Sequence, residues 1–84
     1  MRANIQLSKI WEMQIEYIAD SNEHEVCIYI NNRLKDAKIF DNILDAILFA
    51  YAFDFDRDAI DRNELNEKIK LYVDAVRLTQ PTSE

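Results

Sequence analysis

His24 is the only histidine in the chain and Cys27 the only cysteine. The candidate nucleophiles for His24 as base are Cys27 and the three serines, Ser8, Ser21 and Ser83. Such chemistry needs base and nucleophile within hydrogen-bond reach, with an oxyanion site beside them. His24 stands between Glu23 and Glu25 in an expected turn, and Cys27 in the apolar run that follows. On that placement His24 points into solvent and Cys27 into the sheet, as a small buried hydrophobe. The expectation is a solvated turn histidine, no catalytic residue and no enzyme. A single cysteine also excludes an internal disulfide and any cysteine-built metal site.

The carboxylates are numerous, so spacing has to decide what they do. Glu12 and Glu16 share one side of a strand pattern, where a wet face explains them better than a glycosidase pair in a cleft. Asp54, Asp56 and Asp58 stand at alternate positions between two helical patterns, and this D-x-D-x-D run resembles the opening of an EF-hand calcium loop. The resemblance ends there. Ala59 occupies the position that needs glycine for the sharp turn, and Leu65 the position of the bidentate glutamate. No metal is expected, and an acidic connection ending in the helix cap Asp61 accounts for the run. Together with Asp61, Glu64 and Glu67 it would also place carboxylates in a row like phosphates, broken by Arg57, Arg62 and Lys68. The chain contains no glycine at all. No glycine-rich phosphate cradle can form, and no cofactor is expected.

The elements that position these groups can be traced by period. In residues 10–18, IWEMQIEYI, the alternation of Trp11, Met13, Ile15 and Tyr17 with Glu12, Gln14 and Glu16 predicts a strand with one dry and one wet side. Asp20–Glu23 is turn chemistry. Residues 25–31 form a second strand, apolar on both faces and so expected at the centre. Asn31-Asn32-Arg33 predicts a turn, since asparagine tolerates positive φ where no glycine is present. Residues 37–40 would be a short third strand. Asp41 is the expected cap of a helix from Asn42, with Ile43, Leu44, Ile47, Leu48 and Tyr51 on its inward stripe. Asp61 and Glu64 have capping-box spacing for a second helix reaching about Leu78, with Leu65, Ile69, Tyr72, Val73 and Val76 inward. The order is β-β-β-α-α: a three-stranded antiparallel meander followed by two helices packed on one face, an α+β fold. Residues 1–8 and 79–84 are expected to be frayed ends of this single domain, 1–84.

Eighty-four residues organise one core, and 49% apolar with 31% charged residues is a globular balance. At this size the core takes most large apolar side chains and leaves few to line a deep pocket. Sixteen acidic against ten basic residues give a net charge of −6. That sign repels phosphate backbones and argues against direct nucleic-acid binding, while it favours a basic or mixed protein surface. No stretch is apolar enough to be a signal peptide or to span a membrane, so a cytoplasmic location is expected.

The function expected is a non-enzymatic protein-binding module, an acidic inhibitor that blocks a basic, nucleic-acid-handling protein. In size, charge and element order the chain resembles phage-encoded inhibitors of host defence, anti-CRISPR proteins among them, and also immunity proteins and antitoxins. The candidate binding residues are Glu12 and Glu16, the acidic run Asp54, Asp56, Asp58 and Asp61, and Phe49 with Phe53. These two phenylalanines, four apart, would form an exposed patch if the second helix packed on the Ile43/Ile47/Tyr51 side. A structural alternative is a homodimer or larger assembly built on the apolar first helix.

Overall fold

A computed structural model describes the backbone of residues 2–57 and 60–79 and the side chains of residues 2–53 and 60–78. Four strands, β1 (Arg2–Gln6), β2 (Trp11–Ile18), β3 (Glu23–Ile30) and β4 (Arg33–Phe40), precede two helices, α1 (Ile43–Arg57) and α2 (Arg62–Thr79). The strands form one antiparallel sheet in the order β1-β2-β3-β4, so the fold is α+β. The expected three strands correspond to β2, β3 and β4. The fourth, β1, lies in the segment expected to be a frayed end. Its alternation is short but real: Ala3, Ile5 and Leu7 face the core while Arg2, Asn4 and Gln6 face away. Ile5 and Leu7 are fully buried there.

Asparagine makes the tight turns that glycine would ordinarily make. Asn31 and Asn32 have φ of 51° and 65°, the two positive values that a two-residue type I′ hairpin needs. They join β3 to β4 with Ile30 opposite Arg33. That early closure makes β4 eight residues long, where a short strand at 37–40 was expected. Asn22, at φ 55°, closes the β2–β3 connection, and its Oδ1 accepts the Tyr17 hydroxyl at 2.9 Å.

Both helices lie on one face of the sheet, above the row Ile5, Met13, Ile15, Tyr17, Val26 and Ile28. α2 buries Leu65, Ile69, Tyr72 and Val76, as its period predicts. α1 is rotated from expectation. Ala46 and Ala50 are its fully buried residues, and Leu44 and Leu48 are exposed. Two alanines let the backbone sit close to the sheet, and the flanking phenylalanines set the rotation. Phe49 meets Phe40 at a tilt, ring centres 5.6 Å apart, and Phe53 meets Trp11 edge-on at 5.5 Å. The helix also starts one residue later than expected, because Asn42 and not Asp41 is its cap. Asn42 Oδ1 accepts the Asp45 N–H at 2.8 Å, and its amide donates back to the Asp45 carboxylate at 2.9 Å. Asp61 caps α2 as expected, its Oδ1 accepting the Asn63 N–H at 2.9 Å.

Candidate protein-binding face

The face of the sheet without helices is assembled from the alternate residues of all four strands. Register places Glu12 opposite Tyr29, Gln14 opposite Cys27, Glu16 opposite Glu25 and Ile18 opposite Glu23. Arg2, Asn4 and Gln6 continue these rows on β1. Ile39 and Ala37 continue them on β4, opposite Glu25 and Cys27. Near the turn Leu34 lies opposite Tyr29, and a bulge between Ile28 and Tyr29 shifts the register beyond it so that Ala37 and Ile39 share this face. Four carboxylates, Glu12, Glu16, Glu23 and Glu25, thus gather on β2 and β3. Leu34 and Ile39, 59% and 56% exposed, border them on the β4 side.

The Glu16–Glu25 pair is unfavourable to the fold. Side chains directly opposite across an antiparallel pair are near neighbours, and like charges there destabilise the sheet. Arg2 offsets part of this from β1, its Nη2 lying 3.9 Å from Glu16 Oε1. Cys27 shares the face at half exposure, and burial, then Glu25 and Glu16, push its thiol above the ordinary value. A thiol held protonated in this way is a poor nucleophile at neutral pH.

The positions of His24 and Cys27 reverse the expectation. Because β3 begins at Glu23, residue 24 falls on the helix-covered face, and His24 is buried at 2% exposure. Its Nδ1 shares a 2.7 Å hydrogen bond with the Tyr72 hydroxyl, and its ring lies 5.3 Å from that of Tyr17. Cys27, three residues on, faces the opposite way. Burial lowers the imidazole pKa from its ordinary 6.5 and raises that of the Tyr72 hydroxyl, with smaller contributions from Glu16 and Tyr17. The pair is a satisfied polar contact within the core.

The remaining candidate residues are dispersed. Asp54 and Asp56 belong to the helical backbone of α1, which runs to Arg57 and does not break at 54 as the apolar pattern suggested. Their side chains, and all of Asp58, lie outside the described residues. Asp61 is exposed and occupied as a cap. Phe49 and Phe53 are half-buried against the core, 6.5 Å apart, with the Lys38 ammonium 5.2 Å from the Phe49 ring centre. Among the described residues no three His, Cys, Asp or Glu side chains gather to hold a metal, and no helix is long and apolar enough to cross a membrane.

Glu12 and Glu16 are therefore the expected candidates that the fold brings into one surface, and it adds Glu23, Glu25, Tyr29, Leu34 and Ile39. Glu25 was within reach of the sequence, since it alternates with Val26 and Ile28 in the second strand. Ile39 was not, because only the bulge turns it to this face. Fold and surface together define an α+β protein with a four-stranded antiparallel sheet, helices on one face and an acidic, apolar-bordered second face. No protein-family model, no curated protein and no solved structure matches the chain.

Proposed function

We propose that the chain is a non-enzymatic protein-binding domain that docks its helix-free sheet face on a basic or mixed surface of another protein. The observation that supports this reading most is the Glu16–Glu25 pair. A fold that needed only solubility would gain from replacing either residue, whereas a cationic partner would neutralise both. Tyr29, Leu34 and Ile39 supply the apolar and aromatic contacts that interfaces use beside their charges. The acidic excess of the whole chain steers a cationic partner towards this face. A protein whose own work is binding nucleic acid carries such a surface, and occupying it would block that work. This is the mode of action of an acidic inhibitor, of the anti-defence or immunity kind, in a reducing cytoplasm that keeps Cys27 a free thiol.

The test uses immobilised wild-type chain and a Glu16→Lys/Glu25→Lys variant to capture partners from lysate at low and high salt. Wild type should enrich one basic, nucleic-acid-handling protein at low salt and lose it at high salt, and the variant should not capture it. Equal capture of the same proteins by both would sink the reading. In parallel, Glu25→Gln should raise the unfolding free energy by about 0.2–1 kcal/mol, the range for a relieved cross-strand pair, while weakening capture. A stability loss there would mean that the pair is no burden to the fold.

A further inference from the structure

The two edges of the sheet are built differently. β4 places Arg33, Lys35, Asp36 and Lys38 among its eight residues, and a bulge interrupts its register with β3. Charges and bulges keep an edge strand from recruiting another strand. β1 has neither defence. It pairs with β2 in unbroken register from Arg2 to Gln6, carries one charge and contains no proline. The Leu7 N–H donates to the Trp11 carbonyl at 3.0 Å, and bonded pairs alternate along an antiparallel ladder. Ile5 and Ala3 therefore bond to β2. The N–H and C=O groups of Arg2, Asn4 and Gln6 face out from the edge.

α2 lies beside this edge, and a groove of about 310 Å³ runs between them, lined by Arg2 and Asn4 on one side and Lys68, Leu71 and Ala75 on the other. Leu71, Ala75 and Leu78 follow i, i+4, i+7 spacing and share a helix face. The two leucines are 65% and 87% exposed. An open strand edge and an exposed leucine stripe thus flank one groove.

We propose that this edge is a homodimer interface. β1 pairs antiparallel with β1 of a second copy about a two-fold axis perpendicular to the sheet, and the two Leu71–Ala75–Leu78 stripes pack together above the seam. A two-fold interface must offer both halves of every contact from one patch. A strand edge offers donors and acceptors to its own copy, and a leucine stripe packs on its own copy. The charges fit as well. Centring the pair on Asn4 sets Arg2 opposite Gln6 of the second copy, and Gln6 is in turn opposite Glu12. On the helix-free side Arg2 then stands between its own Glu16 and Glu12 of the second copy, with no like charges adjacent across the seam. On the helix side the same axis makes the two α2 helices antiparallel, which aligns their dipoles favourably. The interface borders the carboxylate cluster through Arg2 and does not depend on the docking reading.

Sedimentation velocity of the full chain over a concentration series tests it. The wild type should reach twice the 10.0 kDa chain mass. Asn4→Pro removes an outward N–H without touching the bonds to β2, as edge strands tolerate, and Leu71→Lys places a charge in the stripe. Each should return the mass to that of one chain with an unchanged far-ultraviolet circular dichroism spectrum. Leu44→Lys, on α1 and similarly exposed, should leave the dimer intact. If Asn4→Pro does not fold, Leu71→Lys alone decides, since its side chain is already in solvent. A wild type that stays at monomer mass throughout overturns the proposal and leaves the edge to an extended segment of another protein. So does a dimer that Leu44→Lys dissociates and Leu71→Lys does not.

Discussion

His24 is the buried polar or charged side chain among the described residues. Its Nδ1 is engaged by Tyr72, and desolvation makes the imidazolium harder to form in the folded state than in the unfolded chain. As pH falls, the unfolded state takes up the proton first. The stabilisation that depends on neutral His24 is therefore complete above the unfolded value of 6.5 and is lost as pH falls below it, towards the lower folded value. Urea unfolding at a series of pH values should show a free energy that decreases on acidification through this range, with a slope approaching about 1.4 kcal/mol per pH unit for one proton. His24→Gln, though less stable at neutral pH, should show a smaller slope over the same range. Parallel curves for the two proteins would mean that the buried imidazole protonates in place. The engaged nitrogen of the same pair makes a core contact 48 residues away in sequence.

At the scale of elements, the hairpin between β3 and β4 carries the greatest local demand on the backbone. Its two central residues are both left-handed, a conformation costing roughly 1–2 kcal/mol for residues other than glycine, asparagine and aspartate. Asn32→Ala should therefore lower stability by about 1 kcal/mol, whereas Asn32→Gly should leave it unchanged or raise it. Chemical denaturation of the two variants separates the backbone effect from the loss of the amide side chain. Equal destabilisation by both would show that the amide matters and the φ angle does not. The turn also has a consequence beyond itself. Its register turns Leu34 towards the acidic face, and the bulge that follows turns Ile39 there as well; β4 is exposed along nearly all its length, and α1 anchors it through Phe40 and Lys38 on Phe49. Asparagine at this turn thus shapes the candidate binding face one strand away.

Across the whole molecule, a net charge of −6 on 84 residues works against the compact state, since folding brings like charges closer together. Raising ionic strength from about 0.01 to 0.15 M shortens the screening length from roughly 30 to 8 Å, which weakens repulsion between the carboxylate-bearing strands. The thermal midpoint should rise over that range by several degrees, because about 1 kcal/mol corresponds to roughly 4–8 °C for a domain of this size. Differential scanning calorimetry with sodium chloride measures it, and a midpoint that falls with salt would show that the surface charges attract on balance. Capture of a cationic partner should respond in the opposite sense, weakening as salt rises. On the proposed reading, folding and partner binding would place opposing demands on the same carboxylates.

Periodicity and turn chemistry alone determined the α+β class, the phase of the strand from Trp11 to Ile18, the inward stripe of α2, the Asp61 cap and the asparagine turn. Each is a local property: alternation, helical spacing and φ preference act over a few residues and survive without knowledge of the rest of the chain. Tertiary structure alone decided the others. β1 is a strand because β2 offers it an edge and the core accepts Ile5 and Leu7, although two large apolar residues make too short a pattern to stand out. α1 turns its alanines inward because close packing on the sheet outweighs burial of Leu44 and Leu48, which composition ranks as more hydrophobic. His24 faces the core because β3 begins at Glu23 and carries the alternation of Val26 and Ile28 back to it, while Cys27, of opposite parity, falls on the other face. The acidic face depends on the same long-range cause, since Glu16 and Glu25 are nine residues apart in sequence and become neighbours only through the β2–β3 register.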